Sequence, residues 1–85
     1  MITTIIKYGN RKFYNKETSR YVNLKDIAQL PLGSFQVTDK ETGENITVET
    51  LFSYLANGER TYNVDKKIDI MHHLINELGG IHGNI

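Results

Sequence analysis

Lys7-Tyr8-Gly9-Asn10-Arg11-Lys12-Phe13-Tyr14 is the stretch whose reading decides the fold. Ile5-Ile6-Lys7-Tyr8 has the composition of a strand, Gly9-Asn10 suits a two-residue type II′ hairpin loop, and Arg11-Lys12-Phe13-Tyr14 reads as the returning strand. On that register Tyr8 faces Arg11, Lys7 faces Lys12, Ile6 faces Phe13 and Ile5 faces Tyr14. Two lysines directly across a hairpin destabilise it by a few tenths up to about 1 kcal/mol. A polyanion that neutralises the pair removes that cost, so cations interleaved with aromatics point to a β-ribbon laid along a phosphate backbone. A basic hairpin is also a common way to keep a solvated sheet edge from aggregating, and the residues alone leave both readings open.

Working outward, Asn15-Lys16-Glu17-Thr18-Ser19 is a polar turn and Arg20-Tyr21-Val22 resumes extended structure. Asn23 has the character of an N-cap, with Asp26 in the first turn where a carboxylate favours the helix dipole. Leu24, Ile27, Ala28 and Leu30 give the spacing of a short amphipathic helix, which Pro31 disfavours continuing. Phe35-Gln36-Val37-Thr38-Asp39 alternates as a strand, Gly43 marks a turn, and Asn45-Ile46 reads as a short returning strand. Thr47 is placed to cap a helix with Val48, Leu51, Phe52 and Leu55 on one face, closed by Gly58. A last helix starts near Asp65, with Ile68, Met71, Leu74 or Ile75, and Leu78 as its buried stripe, and Gly79-Gly80 ends it. The order predicts an α+β fold: a small antiparallel sheet of hairpins with two or three helices. Residues 1–64 form its main domain, and residues 65–85 a C-terminal amphipathic helix and tail. That helix has little sheet left to cover, so Ile68, Met71, Ile75 and Leu78 are candidates for an oligomer interface.

A chain of 85 residues makes one domain, and at that size folding buries only about 60–65% of the unfolded surface, so oligomerisation is a plausible source of extra stability. The formal net charge is +0, which by itself argues against nucleic acid. The distribution of charge argues the other way. Lys7, Arg11, Lys12, Lys16, Arg20 and Lys25 stand against Glu17 alone, whereas residues 26–85 carry four cations and nine acids. There is no cysteine, hence neither a disulfide framework nor a thiolate zinc site. No apolar run approaches the roughly 20 residues of a membrane helix, and the N-terminus lacks the features of a signal peptide. The expectation is a cytoplasmic protein without a membrane partner.

Other constellations carry less. Asp69, His73 and Glu77 share a helix face, a pattern that is more often solvated than metal-bound, so no metal is expected. Gly79-Gly80-Ile81-His82-Gly83 follows a helix instead of opening one and lacks the phosphate-cradling context. Ser19, Ser34 and Ser53 have no nucleophile motif around them, and neither an enzyme nor a cofactor is expected.

Tyr8-Gly9-Asn10-Arg11-Lys12-Phe13-Tyr14, Glu17-Thr18-Ser19-Arg20-Tyr21-Val22-Asn23-Leu24 and the block Phe35 to Thr47 together resemble the N-terminal domain of the bacterial polyhydroxyalkanoate (PHB) accumulation regulators. The resemblance runs from about Ile5 to Leu55, with glycine at position 9 where the family usually has proline. It implies a DNA-binding domain of a transcriptional repressor acting on genes of polymer metabolism. On the matching block it points to Lys7, Tyr8, Asn10, Arg11, Lys12 and Tyr14, with Arg20 beside them; Lys16 joins them as a neighbouring cation, and on the physical reading of the hairpin Asn10 and Arg11 are the residues placed to reach base edges. Family members usually continue into a longer helical region associated with polymer and partner binding, so contact with a polymer granule is left open. The competing expectation is a protein-interaction or adaptor module that keeps the fold without DNA binding. A thinner one is a small phosphorylated ligand on the basic hairpin.

Overall fold

The computed structural model describes residues 2–9 and 12–82, with side chains up to residue 78. The chain runs β1 (Thr3–Tyr8), β2 (Lys12–Asn15), β3 (Arg20–Val22), α1 (Leu24–Ala28), β4 (Phe35–Asp39), α2 (Thr47–Ala56) and α3 (Val64–His82). The α+β class is as the sequence indicates. The sheet is mixed where an antiparallel one was expected: its order is β3-β2-β1-β4, and β4 runs parallel to β1. α1 is the reason. It carries the chain across one face from the β3 edge to the far side of β1, and a crossover of that kind returns a strand in the same direction.

The hairpin register also departs from the sequence reading. Ile5 pairs with Asn15, Ile6 with Tyr14, Lys7 with Phe13 and Tyr8 with Lys12. The connection therefore spans residues 9–11 and is not the two-residue Gly9-Asn10 loop; Gly9 has φ 61°, a left-handed conformation that glycine adopts without strain. One extra loop residue exchanges the two faces of the returning strand. Phe13, and not Tyr14, now shares a face with Ile5, and Lys7 no longer opposes Lys12. The core explains this choice, because it places Ile5, Phe13, Phe35 and Val37 on the same side of the sheet, all buried. All three helices cover that side: Ile27 and Ala28 from α1, Leu51 and Tyr54 from α2, and Ile70 and Leu74 from α3 complete the cluster.

Local signals behave as expected at α1. Asn23 Oδ1 accepts from the Asp26 amide at 2.9 Å and Asp26 Oδ2 accepts from the Asn23 amide at 3.0 Å, a reciprocal capping box. At α2 they do not, for Ile46 is the N-cap residue and makes no side-chain cap. Thr47 is instead the first helical residue. Its hydroxyl accepts from the buried Val37 amide at 2.8 Å and donates to Asn45 Oδ1 at 2.6 Å, fastening the helix to β4. Asn45 makes one bridge to Thr38 in place of the expected strand. The Ile46 amide donates to the Val37 carbonyl, the Asp39 amide to the Glu44 carbonyl and the Gly43 amide to the Asp39 carbonyl. On the buried side of α2 Tyr54 replaces Phe52, which is 49% exposed.

Of the expected α3 stripe only Leu74 turns inward. Ile70 and Leu74 are buried, whereas Ile68, Met71, Ile75 and Leu78 are exposed. Burial of Ile70 and Leu74 sets the 67/70/74 face against the core, and on that face the Lys67 ammonium donates to the Asn57 carbonyl at the end of α2. Nor does Gly79-Gly80 end the helix, which continues to His82. Each helical glycine costs about 1 kcal/mol against alanine, which lowers helix stability without forbidding the conformation.

Replacing Thr47 by valine leaves the buried Val37 amide without its acceptor and should cost about 1–3 kcal/mol. Thr47→Ser keeps the hydroxyl and should lose less; urea denaturation of both variants measures the difference.

Candidate nucleic-acid interface

Alternation along each strand divides the sheet's side chains between two surfaces. Thr3, Ile5, Lys7, Phe13, Asn15, Val22, Phe35, Val37 and Asp39 point to the helices. The opposite side has no helix over it among the described residues. It is laid out in rows set by the register. Tyr21, Tyr14, Ile6 and Thr38 form one row across all four strands. Lys12 and Tyr8 form the next, toward the hairpin turn. On the other flank Gln36 pairs with Thr4, and Lys16 donates its amide to the Thr4 carbonyl at 3.0 Å, continuing the ladder.

The tyrosines are in contact with one another. Tyr14 meets Tyr21 edge-to-face with ring centroids 5.2 Å apart, and Tyr8 meets Tyr14 in the same manner at 6.5 Å. Tyr21, at 67% exposure, is the most open of the three. These rows hold Lys12 and Lys16 and no carboxylate; Glu17, in the turn beside Lys16, stands at the rim. Lys40 is exposed just beyond β4, its amide donating to the Lys7 carbonyl at 3.0 Å. The surface is thus aromatic, cationic and supplied with neutral hydrogen-bonding groups.

Two residues that sequence reading grouped with Lys12 lie elsewhere, Lys7 and Arg20. Lys7 points to the helix side, where its ammonium sits 5.9 Å from the Phe13 ring centroid. There it lines a cleft of about 660 Å³ with Asp39, Glu49, Glu59 and Tyr62 among its walls. Burial, with the Glu59 charge and Tyr54 adding to it, holds the Tyr62 phenol above its ordinary range. Lys25 lies 5.3 Å from the Tyr62 centroid. Arg20 is exposed at the start of the edge strand, across from Asn15 and on the helix side by register. Tyr8, Lys12, Tyr14 and Lys16 gather on the uncovered face. Asn10 and Arg11 fall outside the described residues.

Sequence reading missed Tyr21, Ile6, Thr4, Gln36, Thr38 and Lys40 as members of this surface. The signal was present in the parity of Thr4-Ile6-Tyr8 and Lys12-Tyr14-Lys16, but it becomes legible only once the loop length fixes which parity faces the helices. Among the described residues no three histidine or carboxylate side chains gather closely enough to hold a metal ion; His73 reaches Glu77 at 3.9 Å on α3. Among the described residues no helix is long and apolar enough to cross a membrane.

Residues 4–61 match the family model described as the PHB/PHA accumulation regulator DNA-binding domain. No curated protein and no solved structure gives a significant match. The matched span contains every residue of the uncovered face.

Tyr21 packs little against the core, so Tyr21→Ala should change stability by no more than about 1 kcal/mol. Tyr54→Ala should cost about 3–5 kcal/mol by opening a cavity; thermal unfolding of the two variants makes the comparison.

Proposed function

The chain belongs to the family of PHB/PHA accumulation regulator DNA-binding domains, and from that premise we propose that it is a transcriptional regulator that meets DNA with the uncovered face of its sheet. The observation that carries this reading is the face itself: among the described residues no helix covers it and its rows hold no carboxylate, Glu17 standing at the rim, with cations at both flanks of a tyrosine row. Lys12, Lys16 and Lys40 supply phosphate attraction, which fixes position without reading sequence. The end of the β1–β2 hairpin is the part that enters, since the Tyr8–Lys12 row extends beyond the last pairs made with β3 and β4 and a major groove admits a two-stranded β-ribbon. Tyr8, Tyr14 and Tyr21 then offer hydroxyl donors to phosphate oxygens, and Gln36 a bidentate amide of the kind that pairs with adenine.

Asn10 and Arg11 adjoin this ribbon in sequence and are kept as base readers, arginine for its fork toward guanine. Arg20 serves as a flanking cation. Lys7, directed into the cleft, takes no direct part. The action is repression of genes of polymer metabolism, in the bacterial cytoplasm, with genomic DNA as partner; no enzymatic step is involved. A polymer-granule contact forms no part of this reading.

The reading is tested by fluorescence anisotropy on random and native-promoter duplexes across a salt series. Removing one phosphate contact should reduce the log–log salt slope by about 0.9, so the Lys12→Ala, Lys16→Ala double variant should be shallower by about 1.8. Lys7→Ala should leave the slope unchanged. Absence of duplex binding at low salt overturns the DNA reading, and equal effects from Lys7 and Lys12 overturn the choice of face.

A further inference from the structure

On the opposite side of the molecule, the exposed residues of α3 are spaced as a heptad seam. Val64, Ile68, Met71, Ile75 and Leu78 follow one another at intervals of four, three, four and three, the a/d repeat of helices that pair along their length. Their exposures are 68%, 42%, 47%, 59% and 40%, and Phe52 of α2 adds 49% beside them. Phe52, Leu55, Met71, Leu74, Ile75 and Leu78 together line a groove of about 280 Å³ between the two helices. Every lining side chain is apolar.

We propose that this seam and groove form the interface between two copies of the chain, related by a twofold axis near Met71. The exposed apolar surface is on the order of 600 Å², the upper end for a monomer, where the largest patch is usually about 300–600 Å². A standard interface buries about 800 Å² on each partner, most of which the apolar seam alone supplies. An a/d stripe is self-complementary, because knobs of one helix fit the holes of an identical one, as an isologous contact demands. The formal net charge of +0 raises no repulsion between copies. Two copies joined here leave both uncovered sheet faces outside the contact, since α2 and α3 lie on the other side of the sheet. The inference stands on the seam and does not depend on DNA binding.

The test is sedimentation of the whole chain over a concentration series in the micromolar range, without DNA. A dimer is expected for the wild type, and a monomer for Ile75→Glu, whose site is already 59% exposed and whose circular dichroism should report a folded chain. Because the native chain has no cysteine, a single thiol reports proximity independently. Met71→Cys should form a disulfide-linked dimer under mild oxidation, whereas Asp69→Cys, on the outward side of α3, should not. A wild type that sediments as a monomer at every concentration overturns the proposal and assigns the groove to another partner. Equal cross-linking from both thiols overturns it as well.

Discussion

Ile5 and Val37 lie side by side on the parallel β1–β4 pair, both with 0% exposure, and the rest of the architecture inherits its parity from that contact. With Ile5 facing the helices, Lys7 must face them too, and Ile6 and Tyr8 must not. Pairing with β2 extends the rule to Phe13 and Asn15, and pairing with β3 extends it to Val22. A slip of one residue in β2 would turn Phe13 to water, a loss of about 2–3 kcal/mol in burial, and would press Lys12 toward an apolar core. The sheet's outer surface is therefore not free to vary on its own. It is whatever the packing of the inner one leaves over, and here that is a set of tyrosines, threonines and lysines.

Signals confined to a few neighbouring residues were legible in the sequence. The Asn23/Asp26 capping box, the alternation of Phe35 to Asp39 and the start of α3 near Asp65 all rest on contacts within one turn or one strand. What escaped depends on distant partners. The parallel placement of β4 is decided by which side of β1 the crossover reaches. The hairpin register turned on a single loop residue, since Gly9-Asn10 is a sound two-residue turn judged alone. The inward face of α3 was misread because its apolar residues occupy two adjacent stripes. Leucine and isoleucine do not say which stripe packs inward; the fit of Ile70 and Leu74 into the cluster with Leu51 and Tyr54 of α2 does. Of the candidate site, Tyr8, Lys12, Tyr14 and Lys16 were readable from composition. Tyr21 and the β4 residues were not, because they join the surface only through strand order.

The charge asymmetry along the chain acquires a spatial meaning in the fold. The basic N-terminal third does not form one patch. Lys7 lies over the Phe13 ring on the helix side, in the cleft walled by Asp39, Glu49 and Glu59, and Lys25 lies over the Tyr62 ring. Lys12 and Lys16 remain on the open side without acidic neighbours in their rows. A neutral molecule thus presents a positive surface in one direction, which suits a protein that must find a polyanion without adhering to it indiscriminately through a large net charge.

An uncovered sheet of aromatic and apolar residues invites association through its edges, and the hydrogen bonds around β4 bear on that hazard. Val37 gives its amide to Thr47 and its carbonyl to Ile46, while Asp39 gives its amide to Glu44 and its carbonyl to Gly43. The outer rim of β4 is thereby occupied at Val37 and Asp39 by the chain's own next turn, and the other rim, β3, is three residues long. Among the described residues a foreign strand finds only short stretches of vacant donors and acceptors to extend, so the exposed face can stay sticky toward a ligand while the sheet resists growth into a fibril.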